Sequence, residues 1–180
     1  MKITKTRTVK TPSRANPSDA GIDFYVPEFN EQFIKDLISK NPQKLFSGAV
    51  EDIKLSPHER ILIPSGIHVN FKEEAKKTRA VFGTADVGLA LNVHNKSGVA
   101  SKKGLDRLAE TVDENYTGEV HISLVNTSNE TITISPNEKI IQCILEPIFT
   151  THIEEVASLT ELYPEQTDRG TGGFGSTNNK

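Results

Sequence analysis

The chain has 180 residues, 35% hydrophobic and 25% charged, with a formal net charge of −3. That length suffices for one domain with its own core, without metal or disulfide staples. The mildly acidic balance gives no electrostatic footprint for duplex nucleic acid, no apolar stretch approaches the ~20 residues of a membrane span, and the basic N-terminus "MKITKTRTVK" lacks the apolar run of a signal peptide.

In chain order, "SDAGIDFYV" is the first informative stretch. Ala20 and Gly21 sit between Asp19 and Asp23, and Ile22, Phe24 and Val26 mark a strand entry; an Asp beside a Gly is by itself ordinarily a turn. In "FNEQFIKDLISKN", Phe29, Phe33, Ile34, Leu37 and Ile38 recur at helical spacing between charged residues, which predicts an amphipathic helix. Asn41 and Pro42 stop it, and "PQKLFSGAVED" reads as loop until strands resume at Ile53.

"RILIPSGIHVNF" carries two β-branched runs broken at Pro64 and Gly66. "NKSGVASKKG" then places Lys96 and Ser97 before Gly98, either an ammonium, a hydroxyl and amides aimed at an oxyanion or a polar β-turn. In "TVDENYTGEVHISLVN", Thr111 and Val112 read as a strand, Asp113 to Gly118 as a hairpin turn and Glu119 onward as the returning strand. Asp113 is either a base with a raised pKa or the first Asx residue of that turn.

"ETITISP" alternates, and "EKIIQCILEPI" is a nearly continuous apolar run. The lone Cys143 lies inside that run, so a buried, inert thiol and a reducing cytoplasm are expected. Short strands punctuated by turns, with one helix as the exception, predict a sandwich or barrel. His58, His68, His94, His121 and His152 show no close ligand spacing and read as scattered structural residues. In the tail "RGTGGFGSTNNK", Gly170, Gly172 and Gly175 satisfy G-x-G-x-x-G, but the chain ends at Lys180 with no room for the helix and acidic residue a dinucleotide site requires.

Five of these stretches, in order, resemble the motifs of the trimeric deoxyuridine triphosphatase (dUTPase) family: "DAGIDF" (19 to 24), "KSGVA" (96 to 100), "VDENYTGE" (112 to 119), "NEKIIQCIL" (137 to 145) and "RGTGGFGST" (169 to 177). The resemblance implies an all-β jelly-roll β-barrel over residues 1–180, assembled as a homotrimer with sites at subunit interfaces. Residues 28–51 are then an insertion containing the helix, and residues 168–180 a mobile Gly-rich C-terminal arm. Two departures stand out. Lys96 replaces the family's usual arginine, and an ammonium cannot supply the bidentate fork of a guanidinium; Glu110 stands where the family commonly has a small residue before the third motif.

The same resemblance implies hydrolysis of dUTP to dUMP and pyrophosphate, which keeps uracil out of DNA and supplies dUMP for thymidylate synthesis. Asp113 is the implied general base for a water attacking the α-phosphorus. Tyr116 packs on the deoxyribose and excludes a 2′-hydroxyl, while the backbone of Leu108, Ala109 and Thr111 grips the base. Lys96, Ser97, Gly98 and Gln142 meet the phosphates. From the arm, Phe174 stacks on uracil, Arg169 pairs with the γ-phosphate, and Gly175 and Ser176 complete the lid. Mg2+ is the implied cofactor, anchored by the triphosphate without a direct protein ligand and with Asp23 at most in its outer sphere. No nucleic-acid or membrane partner is expected. A dCTP deaminase-like enzyme of the same fold would need a glutamate where this chain has Ser123; a regulatory protein-binding module would use the inserted helix as its contact surface.

Overall fold

The alternating segments form antiparallel strands in the computed structural model, which describes residues 1–46, 50–165, 167 and 170–172. In chain order they are β1 (Lys2–Lys5), β2 (Ile22–Tyr25), β3 (Ile53–Leu55), β4 (Arg60–Pro64), β5 (Ile67–Asn70), β6 (Val87–Asn95), β7 (Leu105–Arg107), β8 (Thr111–Asp113), β9 (His121–Asn126), β10 (Ile132–Ile134) and β11 (Lys139–Phe149). Helices α1 (Glu31–Lys40), α2 (Lys72–Phe82) and α3 (Ser97–Lys103) interrupt them, and α4 (Leu159–Leu162) follows. Two compact units result, Met1–Thr150 and Thr151–Lys180, the second containing α4 with Ser158 as its N-cap.

The first unit is an all-β fold of jelly-roll type. One sheet runs β2-β11-β6-β8, another β4-β9-β7, and β1-β5 and β10-β3 pair separately. The apolar run of β11 explains its central place, since it is flanked by β2 and by β6 and cannot present a wet edge. Alternation in β9 turns Ile122 and Leu124 inward, and Ile53, Leu55, Ile132 and Ile134 do the same on the β3-β10 pair. With Phe24, Phe71, Leu91 and Leu105 they form one continuous core.

The expected helix is present as α1. Asn30 caps it by accepting from Phe33 N at 2.9 Å. Phe33 and Leu37 are fully buried in the core, each stabilising by roughly 1.5–3 kcal/mol. Asn41 ends the helix and fastens it. Its buried amide donates to Leu37 O at 2.7 Å and Leu62 O at 2.8 Å and accepts from Leu62 N at 2.8 Å, joining the helix end to β4. The apolar face of the helix is thus part of this chain's own core.

Two features differ from the sequence expectation. Helices α2, α3 and α4 add to the single helix foreseen. In "KEEAKKTRAVF" only Ala75 is buried, so no apolar stripe announces α2; it forms from good helix formers, with Glu73 and Glu74 in the first turn and Gly83 in the left-handed conformation as its stop. The second correction concerns Asp113–Gly118, which is not a hairpin turn. β8 pairs with β6 and β9 with β4 and β7, so the segment crosses from one sheet to the other, and β9 begins at His121 rather than Glu119.

Candidate active site

Strand register places the second and fourth motif stretches beside the first. Gln142 on β11 stands opposite Asp23 on β2 and His94 on β6, and Lys96 follows the end of β6. Asp23 is buried, at 4% exposure. Lys96 Nζ pairs with one of its carboxylate oxygens, and Lys139 Nζ pairs with the other at 2.9 Å. Burial alone would raise this carboxyl's pKa, but the two ammonium groups outweigh it and hold it below the usual carboxylate range. Two cations on one carboxylate leave a positive charge over.

Gln142 donates its amide to Asn95 O at 3.0 Å. Its side chain lies over Gly21, where an added Cβ would come within 2.0 Å of Gln142 Oε1, so a glycine there keeps the amide in place. Lys96 is the N-cap of α3, and its carbonyl accepts from Val99 N and Ala100 N, both at 2.9 Å. The exposed Ser97 and Gly98 occupy the first two helical positions, where amides lie outside the helix's own ladder. Open space surrounds Gly98, with nothing within 4 Å of an added Cβ. The polar β-turn alternative for this stretch therefore gives way to a helix start.

The third motif stretch lies elsewhere. Asn95 ties the end of β6 to β7, accepting from Arg107 N at 3.1 Å and donating to Asp106 at 2.6 Å. Leu108 N donates to Ser123 O at 3.0 Å, and Val93 N to Glu110 O at 2.7 Å; Leu108, Ala109, Glu110 and Thr111 are exposed, and Glu110 pairs with Arg107. Asp113 ends β8 opposite Ala90 and is exposed. Its carbonyl accepts from Tyr116 N at 3.1 Å, and the Tyr116 ring folds over Gly118, where a Cβ would lie 2.2 Å from the phenol oxygen. Tyr116 Oη donates to Glu119 O at 3.0 Å.

Ala90 and Lys96 are six positions apart along β6 and its exit, a separation of roughly 20 Å at ~3.3 Å per residue. Within one copy, Asp113 and the Lys96, Ser97 and Gln142 group do not converge.

The family model for dUTPase matches residues 48–178, and the deoxyuridine 5'-triphosphate nucleotidohydrolase of Mycolicibacterium gilvum is 30% identical over 169 residues, covering 92% of this chain and 86% of that protein. The chain belongs to the dUTPase family. Its fold is similar to that of a mutant dUTPase of Staphylococcus bacteriophage 80alpha, solved with dUpNHpp, at a TM-score of 0.66 and 20% identity over 97% of this chain and 96% of that one. It is also similar to a mutant dUTPase from phage phi11 of S. aureus in which a structural Mg(II) ion is coordinated, at a TM-score of 0.59 and 18% identity over 88% of this chain and 97% of that one.

Of the dUTPase residues expected from sequence, Arg169, Phe174, Gly175 and Ser176 lie outside the described residues. Lys96 is directed to Asp23, and Asp23 is enclosed by ammonium groups rather than free to face a cation. Among the described residues no three His, Cys, Asp or Glu side chains are grouped to hold a metal ion. Cys143 is fully buried, and burial pushes its thiol up to about 12, which removes it as a nucleophile. Lys139 was present in the fourth motif but not singled out, and its partnership with Asp23 spans the whole domain. Arg7 and Arg79 carried no sequence signal, because their ion pairs reach across 112 and 35 residues.

Proposed function

We propose that the chain hydrolyses dUTP to dUMP and pyrophosphate at sites shared between copies in a homotrimer. The family match carries the reaction. The roughly 20 Å between Asp113 and Lys96 supports the shared site, because a general base must reach the phosphorus that the other residues hold. Each copy is then one dUTPase-like domain, with residues 168–180 acting as its arm and residues 28–51 as an insertion built into its core.

In this reading Asp113 of one copy positions a water and takes its proton as the oxygen attacks the α-phosphorus, and the bond to the β-phosphate bridging oxygen breaks. Exposure suits Asp113 before substrate arrives, since water can reach its carboxylate. Tyr116 presents its ring to the deoxyribose, and the exposed backbone of Leu108, Ala109 and Thr111 reads the base. On the other copy, the amides of Ser97 and Gly98, the Ser97 hydroxyl and the Gln142 amide face the phosphates. Lys96 adds charge from its place on Asp23 rather than as a direct ligand. Among the described residues no side-chain cluster would hold Mg2+ directly; carried in with the substrate, it would supply charge neutralisation. Arg169 and Phe174 close over the γ-phosphate and the uracil, with Gly175 and Ser176 completing the lid. The reaction takes place in the cytoplasm.

The test is a nucleotide panel on two proteins. Wild type should release pyrophosphate from dUTP and far less from dCTP, dTTP and UTP, with no ammonia from dCTP. Asp113→Asn should bind dUTP but lose about a thousandfold in kcat. Deamination of dCTP, or an Asp113→Asn variant within threefold of wild type, would overturn the assignment.

A further inference from the structure

Beyond Asp113, which pairs with Ala90 at the end of β8, the chain leaves one sheet and reaches β9 in the other, so no strand ladder runs along the segment of residues 114–119. Its backbone is held by the turn at Asp113 and by His68 Nδ1 against Thr117 O at 3.0 Å. Two ion pairs flank it. At the start, Glu114 lies over Gly88 of β6 and accepts from Arg79 Nη1 at 3.1 Å and Nη2 at 2.6 Å. Arg79 comes from α2, which packs on β6. At the end, Glu119 receives Arg7 Nε at 2.8 Å and Arg7 Nη2 at 3.1 Å, together with Gly66 N at 2.5 Å.

Arg7 is itself fixed from behind. Its third nitrogen pairs with Asp36 of α1 at 2.7 Å, its guanidinium stands 6.0 Å from the Phe33 ring, and its stem packs against Gly66. Gly66 has φ +74, and a Cβ there would lie 2.8 Å from Arg7 Cβ. Both guanidinium groups engage their carboxylates in a bidentate fork, which fixes direction as well as distance. Arg7, Asp36 and Arg79 all lie outside the five motif stretches.

We propose that Arg79 and Arg7 are positioning residues for the reaction, clasping the two ends of the 113–119 segment so that Asp113 and Tyr116 stand where water and sugar will be. The role rests on Asp113 as the base and Tyr116 as the sugar contact. It gives α2 and the inserted helix a task at the active site without touching substrate. A misplaced base costs rate far more than affinity, and shifts near 1 Å can cost a hundredfold.

The experiment compares Arg79→Ala, Arg79→Lys, Arg7→Lys and the charge swap Arg79→Glu/Glu114→Arg, with Lys76→Ala on the same helix as control and Asp113→Asn alongside. Arg79→Ala should lower kcat on dUTP about tenfold with KM changed less than about threefold. It should also raise the rate on UTP relative to dUTP and speed hydrogen exchange of the 114–118 amides. Arg79→Lys and Arg7→Lys should fall between, since an ammonium keeps the charge without the fork. The charge swap should recover part of kcat, and Lys76→Ala should match wild type. Wild-type kcat, UTP selectivity and amide exchange in Arg79→Ala would overturn the clasp. Full activity in Asp113→Asn would instead overturn the reading beneath it.

Discussion

Around Asp23, two ammonium groups meet one buried carboxylate where three paired strands come together, whereas around Asp113 the carboxylate is exposed and the carboxylates tied down by guanidinium groups are Glu114 and Glu119 in the segment that follows. The first region is positioned by β register. Asp23, Gln142 and His94 are cross-strand neighbours, and the charges complete what the ladders begin. The second region starts on the β8 ladder at Asp113, opposite Ala90, and then crosses between sheets, where side-chain forks reach it from α2 and from the N-terminal segment. On the proposed reading the phosphate-facing group is built into a sheet, while the base stands where a strand gives way to an open segment whose ends are fixed from outside it.

The comparison is most easily broken at Asp23. Replacing it with Ala leaves Lys96 and Lys139 repelling each other beside a desolvated site. The expected loss is about 1–2 kcal/mol by urea unfolding, below that of a fully buried pair because Lys96 and Lys139, the charges left behind, both keep access to solvent. A loss below about 0.5 kcal/mol would mean that the ladders alone hold this region.

A smaller effect sharpens it. Asp23 and Glu119 both have carboxyls held below the usual range, in each case against burial, Asp23 by Lys96 and Lys139 and Glu119 by Arg7 and the Gly66 amide. A depressed folded pKa contributes stability that is present above the unfolded value, ~4, and lost as pH falls through the folded one. The unfolding midpoint should therefore begin to fall as pH drops below about 6.5, where the unfolded chain protonates His121 while burial holds the folded imidazole's pKa down, and fall further below about 5 as these carboxyls take up protons. Glu119→Gln should flatten part of that fall; an unchanged slope would remove Glu119 from the balance.

Much of the fold was legible because its signals are local. β9, β10 and β11 follow from alternation and β-branched runs, and α1 from five apolar residues at helical spacing. α2 was missed because its contacts with β6 bury only Ala75 of its own side chains. The 113–118 segment was read as a hairpin because a turn between two strands looks the same in sequence whether the strands pair with each other or with different partners. The motif stretches carried the candidate site, yet the ion pairs that place them join residues as far apart as Lys96 and Asp23 or Arg7 and Glu119. Nothing local marks such pairs.

The central claim is that Asp113 of one copy serves phosphates held by another, and subunit mixing tests it most directly. Asp113→Asn subunits and Ser97→Ala/Gln142→Ala subunits, each nearly inactive alone, would be unfolded together and refolded in equal amounts. A shared site regenerates an intact Asp113 opposite an intact Ser97 and Gln142 in roughly a quarter of positions, so about that fraction of wild-type turnover should return. Mixed assemblies that form yet recover no turnover above the separate variants would show that each chain completes its own site and would contradict the account.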